Sequence, residues 1–125
     1  KPTVWHINEG HAAFQILERC RQTMINGLSF EAALEAVAAA TLFTTHTPVP
    51  AGHDIFSRGL VHHALGAYLK ESGLDFEKVF ALGSKTGGDT FNMTSLGLCG
   101  SRFHNAVSSI NGSVASVMEG EIWPH

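Results

Sequence analysis

Thr3-Val4-Trp5-His6-Ile7 and Thr41-Leu42-Phe43-Thr44-Thr45 are the two stretches whose reading decides the fold. Each is short and rich in β-branched or aromatic residues, as a buried strand requires. The first runs into Asn8-Glu9-Gly10-His11, a polar turn with a glycine, and Pro48 and Pro50 end the second. Between them Ala13, Ile16, Leu17, Cys20 and Met24 recur at helical spacing, up to a stop at Asn26-Gly27. Ser29 then offers an N-cap and Glu31 a first-turn charge for an alanine-rich helix over 30–40. Strand, helix pair, strand is a crossover long enough to join two parallel neighbours.

Outward from this unit, the pattern predicts a helix over 58–71, weakened by Gly59 and Gly66 and ended at Gly73, then a short helical turn over 76–82. Gly83-Ser84-Lys85-Thr86-Gly87-Gly88-Asp89 reads as a surface loop; its Lys and Thr precede the last glycines, the reverse of a phosphate-binding P-loop. A helix is expected over 93–103, a third strand over 105–110 and a last helix over 113–118. With no repeat and no linker, residues 1–125 read as one α/β unit, a Rossmann-like parallel sheet segment with flanking helices.

The 125 residues suffice for one domain, and 44% hydrophobic against 15% charged residues excludes a disordered segment. A net charge of −3 supplies no cationic field, so nucleic acid is not an expected partner. No apolar run approaches the roughly 20 residues of a membrane helix, and no secretory signal opens the sequence, so no membrane partner is expected either. The two cysteines, Cys20 and Cys99, are expected to be buried, reduced thiols, and a cytoplasmic location follows.

Eight histidines invite a metal-site reading, yet there is no H-x-H, H-E-x-x-H or C-x-x-C, and the adjacent His62 and His63 would diverge on a helix. No metal ligand is assigned. Ser84, Ser95 and Ser101 lack a nucleophile-elbow context. Trp5, Trp123, Phe14, Phe43 and Phe80 read as packing residues. Position is the stronger argument, because open parallel sheets bind ligands beyond the carboxyl ends of their strands. Glu9 and His11 follow the first strand and His46 the second, so neighbouring strands would bring them to one edge as donors and acceptors for a polyhydroxylated ligand. The residues alone equally allow Glu9 as a helix-capping charge, His11 as a surface residue and His46 as a strand-end residue bonded to a loop.

At these same loops the sequence resembles the α-glucan (glycogen/maltodextrin/starch) phosphorylases, particularly their shorter bacterial and archaeal branch. The resemblance rests on Ile7-Asn8-Glu9-Gly10-His11-Ala12-Ala13-Phe14, on Phe43-Thr44-Thr45-His46-Thr47-Pro48-Val49-Pro50-Ala51-Gly52-His53-Asp54-Ile55-Phe56, on Phe91-Asn92-Met93-Thr94 and on Trp123-Pro124. It implies the N-terminal, sugar-facing half of a two-Rossmann-domain (GT-B type) retaining glycosyltransferase. Such enzymes phosphorolyse terminal α-1,4-linked glucose to glucose 1-phosphate, with an α-1,4-glucan or maltooligosaccharide and phosphate as substrates. By this resemblance His46 is the catalytic residue, its ring at the sugar 6-hydroxyl and its backbone carbonyl near the anomeric centre, and Glu9 and His11 line the acceptor-sugar side. The longer animal-type enzymes carry aspartate where this chain has Glu9. The family's cofactor, pyridoxal phosphate, is implied for the parent enzyme only. Its lysine belongs to a C-terminal domain absent from these residues, and none of Lys1, Lys70, Lys78 or Lys85 sits in a matching motif. The chain is therefore expected to be a fragment, inactive alone, that self-associates through an exposed sheet edge. The other readings are a free-standing carbohydrate-binding or interaction module and a histidine-based metalloenzyme.

Overall fold

The computed structural model describes residues 2–45, 54–84 and 88–106. Strand β1 (Trp5–Asn8) leads through a single 3-10 turn (Gly10–Ala12) into helix α1 (Phe14–Met24). Helix α2 (Phe30–Ala39) follows, and Ser29 caps it as the sequence predicts, its side chain accepting from the Ala32 N–H. Strand β2 (Thr41–Thr45) then returns beside β1 in parallel, with Trp5 opposite Thr41 and Asn8 opposite Thr44. The predicted crossover is therefore present. A third parallel strand, β5 (Phe103–Ala106), lies on the far side of β2, giving the order β1-β2-β5.

Between β2 and β5 the chain adds strand β3 (Ile55–Ser57), helices α3 (Arg58–Ser72) and α4 (Phe76–Gly83), strand β4 (Thr90–Asn92) and helix α5 (Met93–Cys99). Helix α3 ends as expected at Gly73, which takes the left-handed conformation (φ 74°) that closes a helix. The β3–β4 pair is antiparallel and was not foreseen. Two departures concern the C-terminal half. The helix expected over 93–103 stops at Cys99, where Gly100 caps it and Ser101 Oγ turns back to donate to the Gly97 carbonyl at 2.5 Å. The third strand accordingly begins at Phe103 rather than 105. The helix expected over 113–118 and Trp123 lie outside the described residues, as do 85–87 of the glycine-rich loop.

The sheet buries one face. Thr41, Phe43, Thr45 and Ile7 point into a core shared with Ile16, Leu17, Val79, Leu96 and Leu98. Phe80 joins that core, whereas Phe14 and Cys99 are only partly buried against it, and Trp5 is half-buried at the rim. Cys20 is fully buried, which pushes its thiol up to about 11 and keeps it protonated. Helix α5 closes on β2 because Gly97 presents no side chain. A Cβ there would lie 2.6 Å from Cε2 of Phe43, a ring that is 1% exposed and has nowhere to move.

Outside the core, Glu18 accepts from Arg21 at 2.5 Å and from the Tyr68 hydroxyl at 2.6 Å, joining α1 to α3. These bonds, Arg21 foremost, hold the Glu18 carboxyl down at about 2, while burial and the Glu18 bond lift Tyr68 to about 12. A carboxyl whose folded pKa lies below its unfolded value of ~4.3 adds stability that is present above the unfolded value. That contribution is lost as pH falls toward about 2, and it is small because both partners face solvent. Removing the hydroxyl in Tyr68→Phe is expected to raise the Glu18 titration midpoint, read by carboxyl-carbon NMR; an unchanged midpoint contradicts the network. Two glycines test the packing. Gly97→Ala is expected to lower stability by about 1–3 kcal/mol through overpacking. Gly66→Ala, inside α3 with only ordinary contact to the His62 ring, is expected to raise it by about 0.5–1 kcal/mol. Urea unfolding midpoints check both signs.

Candidate functional site

The carboxyl ends of three parallel strands lie level with one another. Asn8 of β1 faces Thr44 of β2, which faces Asn105 of β5, and Thr45 is paired with Ala106. Glu9, immediately beyond β1, donates its backbone N–H to the Thr44 carbonyl at 2.8 Å and so prolongs the β1–β2 ladder by one step. This is the juxtaposition the sequence called for: the Glu9 turn beside the end of β2. His11 sits in the 3-10 turn and is exposed. His46 lies outside the described residues, one position past Thr45.

Glu9 has φ 65° and ψ 169°, a backbone region populated almost only by glycine. It makes no side-chain cap bond to the turn that follows. The reason for the conformation is its successor. Gly10 is buried against the start of α5, where a Cβ would stand 3.1 Å from both Met93 Cβ and the Thr94 nitrogen. A side chain there would force the start of α5 to give by a few tenths of an ångström, and the reversal that delivers Gly10 is taken up at Glu9. A glutamate held where glycine belongs is retained against local strain.

The same contact gathers segments distant in sequence. Asn92 caps α5, its Oδ1 accepting from the N–H groups of Thr94 at 2.8 Å and Ser95 at 3.3 Å. The Met93 N–H donates to the Asp54 carbonyl at 2.9 Å, and β3 and β4 pair Phe56 with Phe91. The Phe91 ring in turn stacks on Phe14 at 6.3 Å. The Asn8–Phe14, Asp54–Phe56 and Phe91–Thr94 segments thus meet behind the Glu9 turn.

Sequence reasoning missed a polar row on the opposite face of the sheet. The Thr44 hydroxyl donates to Asn105 Oδ1, and His6 Nε2 lies 2.6 Å from Thr44 Oγ1. His6, Asn8, Thr44 and Asn105 occupy alternate positions on their strands, and that period was the available signal. The serines are structural: Ser84 Oγ donates to the Thr90 carbonyl and Ser95 Oγ to that of Leu82. Among the described residues no three His, Cys, Asp or Glu side chains converge to hold a metal ion. No described helix is long and apolar enough to cross a membrane.

The chain is an α/β segment built on a three-stranded parallel sheet with flanking helices. No family model matches the sequence. Its relatives are nonetheless specific. The chain is 43% identical to the maltodextrin phosphorylase of Thermococcus litoralis over 98% of its own length, 14% of that relative's. It is 39% identical to the glycogen phosphorylase of Mycobacterium tuberculosis over 98% of its length, 15% of that protein's, and 30% identical to that of Aquifex aeolicus over 91%, 17% of that protein's. The chain is a homologue of one segment of the glycogen and maltodextrin phosphorylases, and spans only 14–17% of those relatives.

The Glu9 conformation gives a reversed substitution order. Ordinarily Ala is preferred to Gly, but here Glu9→Gly is expected to be more stable than Glu9→Ala by about 1–3 kcal/mol, because only glycine is unstrained at φ 65°. Both variants lose the side chain, so the difference isolates the backbone. Equal denaturation midpoints would remove the strain argument.

Proposed function

We propose that this chain is the glucan-facing part of an α-glucan phosphorylase, a cytoplasmic GT-B type glycosyltransferase converting α-1,4-glucan and phosphate to glucose 1-phosphate. The observation that carries the reading is the identity of 39–43% to phosphorylases across 98% of the chain, which includes the Asn8–Phe14 segment assembled at the strand ends. Glu9 and His11 present a carboxylate and an imidazole to the hydroxyls of the acceptor sugar. His46 takes the departing glucose, its ring at the 6-hydroxyl and its backbone carbonyl toward the anomeric carbon. A carbonyl dipole aimed there stabilises the positive charge that develops as the glycosidic bond breaks.

Pyridoxal phosphate would supply the phosphate group for proton transfer in the parent enzyme. The described residues do not suit it: Lys70 is exposed on α3, and Lys78 is exposed on α4 and bonded to Glu31 at 2.6 Å. Neither is a buried amine in a cradle, so no step passes through the cofactor here, and the isolated chain is inactive in this reading. Both cysteines are thiols rather than a disulfide, which suits a reducing compartment. Among the described residues β1 and β5 each keep one edge without a strand partner, the surface through which the isolated chain would self-associate.

The test is phosphate-dependent release of glucose 1-phosphate from maltodextrin by the longer polypeptide that carries this segment, with none from the 125 residues alone. Glu9→Ala and His46→Ala in that polypeptide are each expected to lower kcat/KM by roughly 10-fold to 100-fold, the scale of one lost polar contact in the transition state. Full activity in both variants, or turnover by the isolated chain, overturns the reading.

A further inference from the structure

At the other end of the sheet, where the strands begin, a buried cation stands without an anion among the described residues. The Arg19 side chain is 9% exposed, its guanidinium carbon 4.6 Å from the centre of the Trp5 ring. Nη1 donates to Thr41 Oγ1 at 2.7 Å, and that hydroxyl passes its own hydrogen to the Val37 carbonyl at 2.6 Å. None of the described ion pairs includes Arg19. The neighbouring Glu18 is committed to Arg21 and Tyr68. A guanidinium stays charged and carries five N–H donors, of which a single one is used among the described residues.

The carbonyls at the end of α2 do not supply the missing charge. Val37 accepts from Thr41, Ala38 from the Arg102 N–H and Ala40 from the Trp5 N–H, all neutral donors. Burial pushes the Arg19 guanidinium down from its ordinary value, the direction expected of a cation short of a counter-ion. A cavity of about 210 Å³ opens beside it, lined also by Trp5, Gln22, Thr23 and Asn26. A water molecule takes up ~30 Å³ in the liquid, so this space accepts a small oxyanion with water to spare. Asn26, which is exposed, stands at this cavity as an amide donor.

We propose that Arg19 anchors an oxyanion-binding pocket at the amino end of the sheet, recognising a carboxylate or phosphate group through the guanidinium N–H groups left open by Thr41. The fork geometry of arginine matches either group with two parallel bonds. The oxyanion is either a free ion or a carboxylate of the polypeptide outside the described residues.

The experiment follows the Arg19 Nε–Hε resonance and the thermal midpoint of the chain in chloride buffer, with inorganic phosphate or acetate titrated at constant ionic strength. A saturable shift of that resonance, with a rise of the thermal midpoint that Arg19→Gln does not show, is the expected result for a free anion. Because Arg19→Gln can fail to fold, Asn26→Asp provides an independent arm by placing a carboxylate at the pocket. A negative charge just past the carboxyl end of α1 should by itself lower the midpoint. A rise, with or without a phosphate response in the unsubstituted chain, shows that Arg19 has room for a counter-ion; a rise without that response assigns the oxyanion to a carboxylate of the polypeptide outside the described residues. No saturable shift together with a lowered midpoint in Asn26→Asp overturns the proposal and leaves Arg19 as a strut between Trp5 and Thr41.

Discussion

The contact between Gly10 and the start of α5 is the constraint on which the rest of this structure depends. It favours a residue without a side chain at 10 and accompanies a chain reversal at 9. It also fixes how α5 enters: Asn92 must cap the helix at that point, and the Met93 N–H must find the Asp54 carbonyl. Once α5 is seated, Gly97 lets its other flank settle on Phe43. The chain that leaves it can then pair β5 with β2. The motif segments around the Glu9 turn are held together by this close approach.

What was legible in the sequence follows from how local each signal is. Strands β1 and β2 were legible because Trp5-His6-Ile7 and Thr41–Thr45 are β-branched or aromatic and bounded by helix caps and prolines. The end of α3 was legible because Gly73 does locally what a helix terminus needs. Helix α5 was overextended because Leu96, Leu98, Cys99 and Phe103 keep an apolar pattern past the point where Ser101 turns the chain back. Strands β3 and β4 were missed because three residues each carry no period, and they are defined by a partner more than 30 positions away. At the site, Glu9 and His11 could be placed because they follow a strand. The positive φ of Glu9 could not, since glutamate announces no such backbone and the cause lies in α5.

The two faces of the sheet are unlike. One carries Ile7, Thr41, Phe43 and Thr45 under α1 and α5. On the other, His6, Leu42, Thr44, Phe103 and Asn105 form a surface on which Phe103 is 57% exposed. Parallel sheets are ordinarily covered on both faces, because their crossover connections lay helices on each. A segment that spans 14% of a homologous enzyme need not supply both layers. Within the His6–Thr44–Asn105 row the Thr44 hydroxyl is already satisfied, whereas the Asn105 amide N–H groups would need partners in a covering layer.

Charge separates the two ends of the same strands. Beyond the carboxyl ends stands Glu9 with the exposed His11, groups suited to the neutral hydroxyls of a sugar, where directional bonds matter more than net charge. Before the amino ends stands Arg19, a charge that a sugar cannot neutralise and an oxyanion can. Parallel alignment accounts for the geometry, because every strand begins at one end and finishes at the other. The first turn of α1 is reached by way of the Glu9 turn, and its second turn carries Arg19 back toward Thr41 at the start of β2. A single helix thereby ties the amino end of the sheet to its carboxyl end.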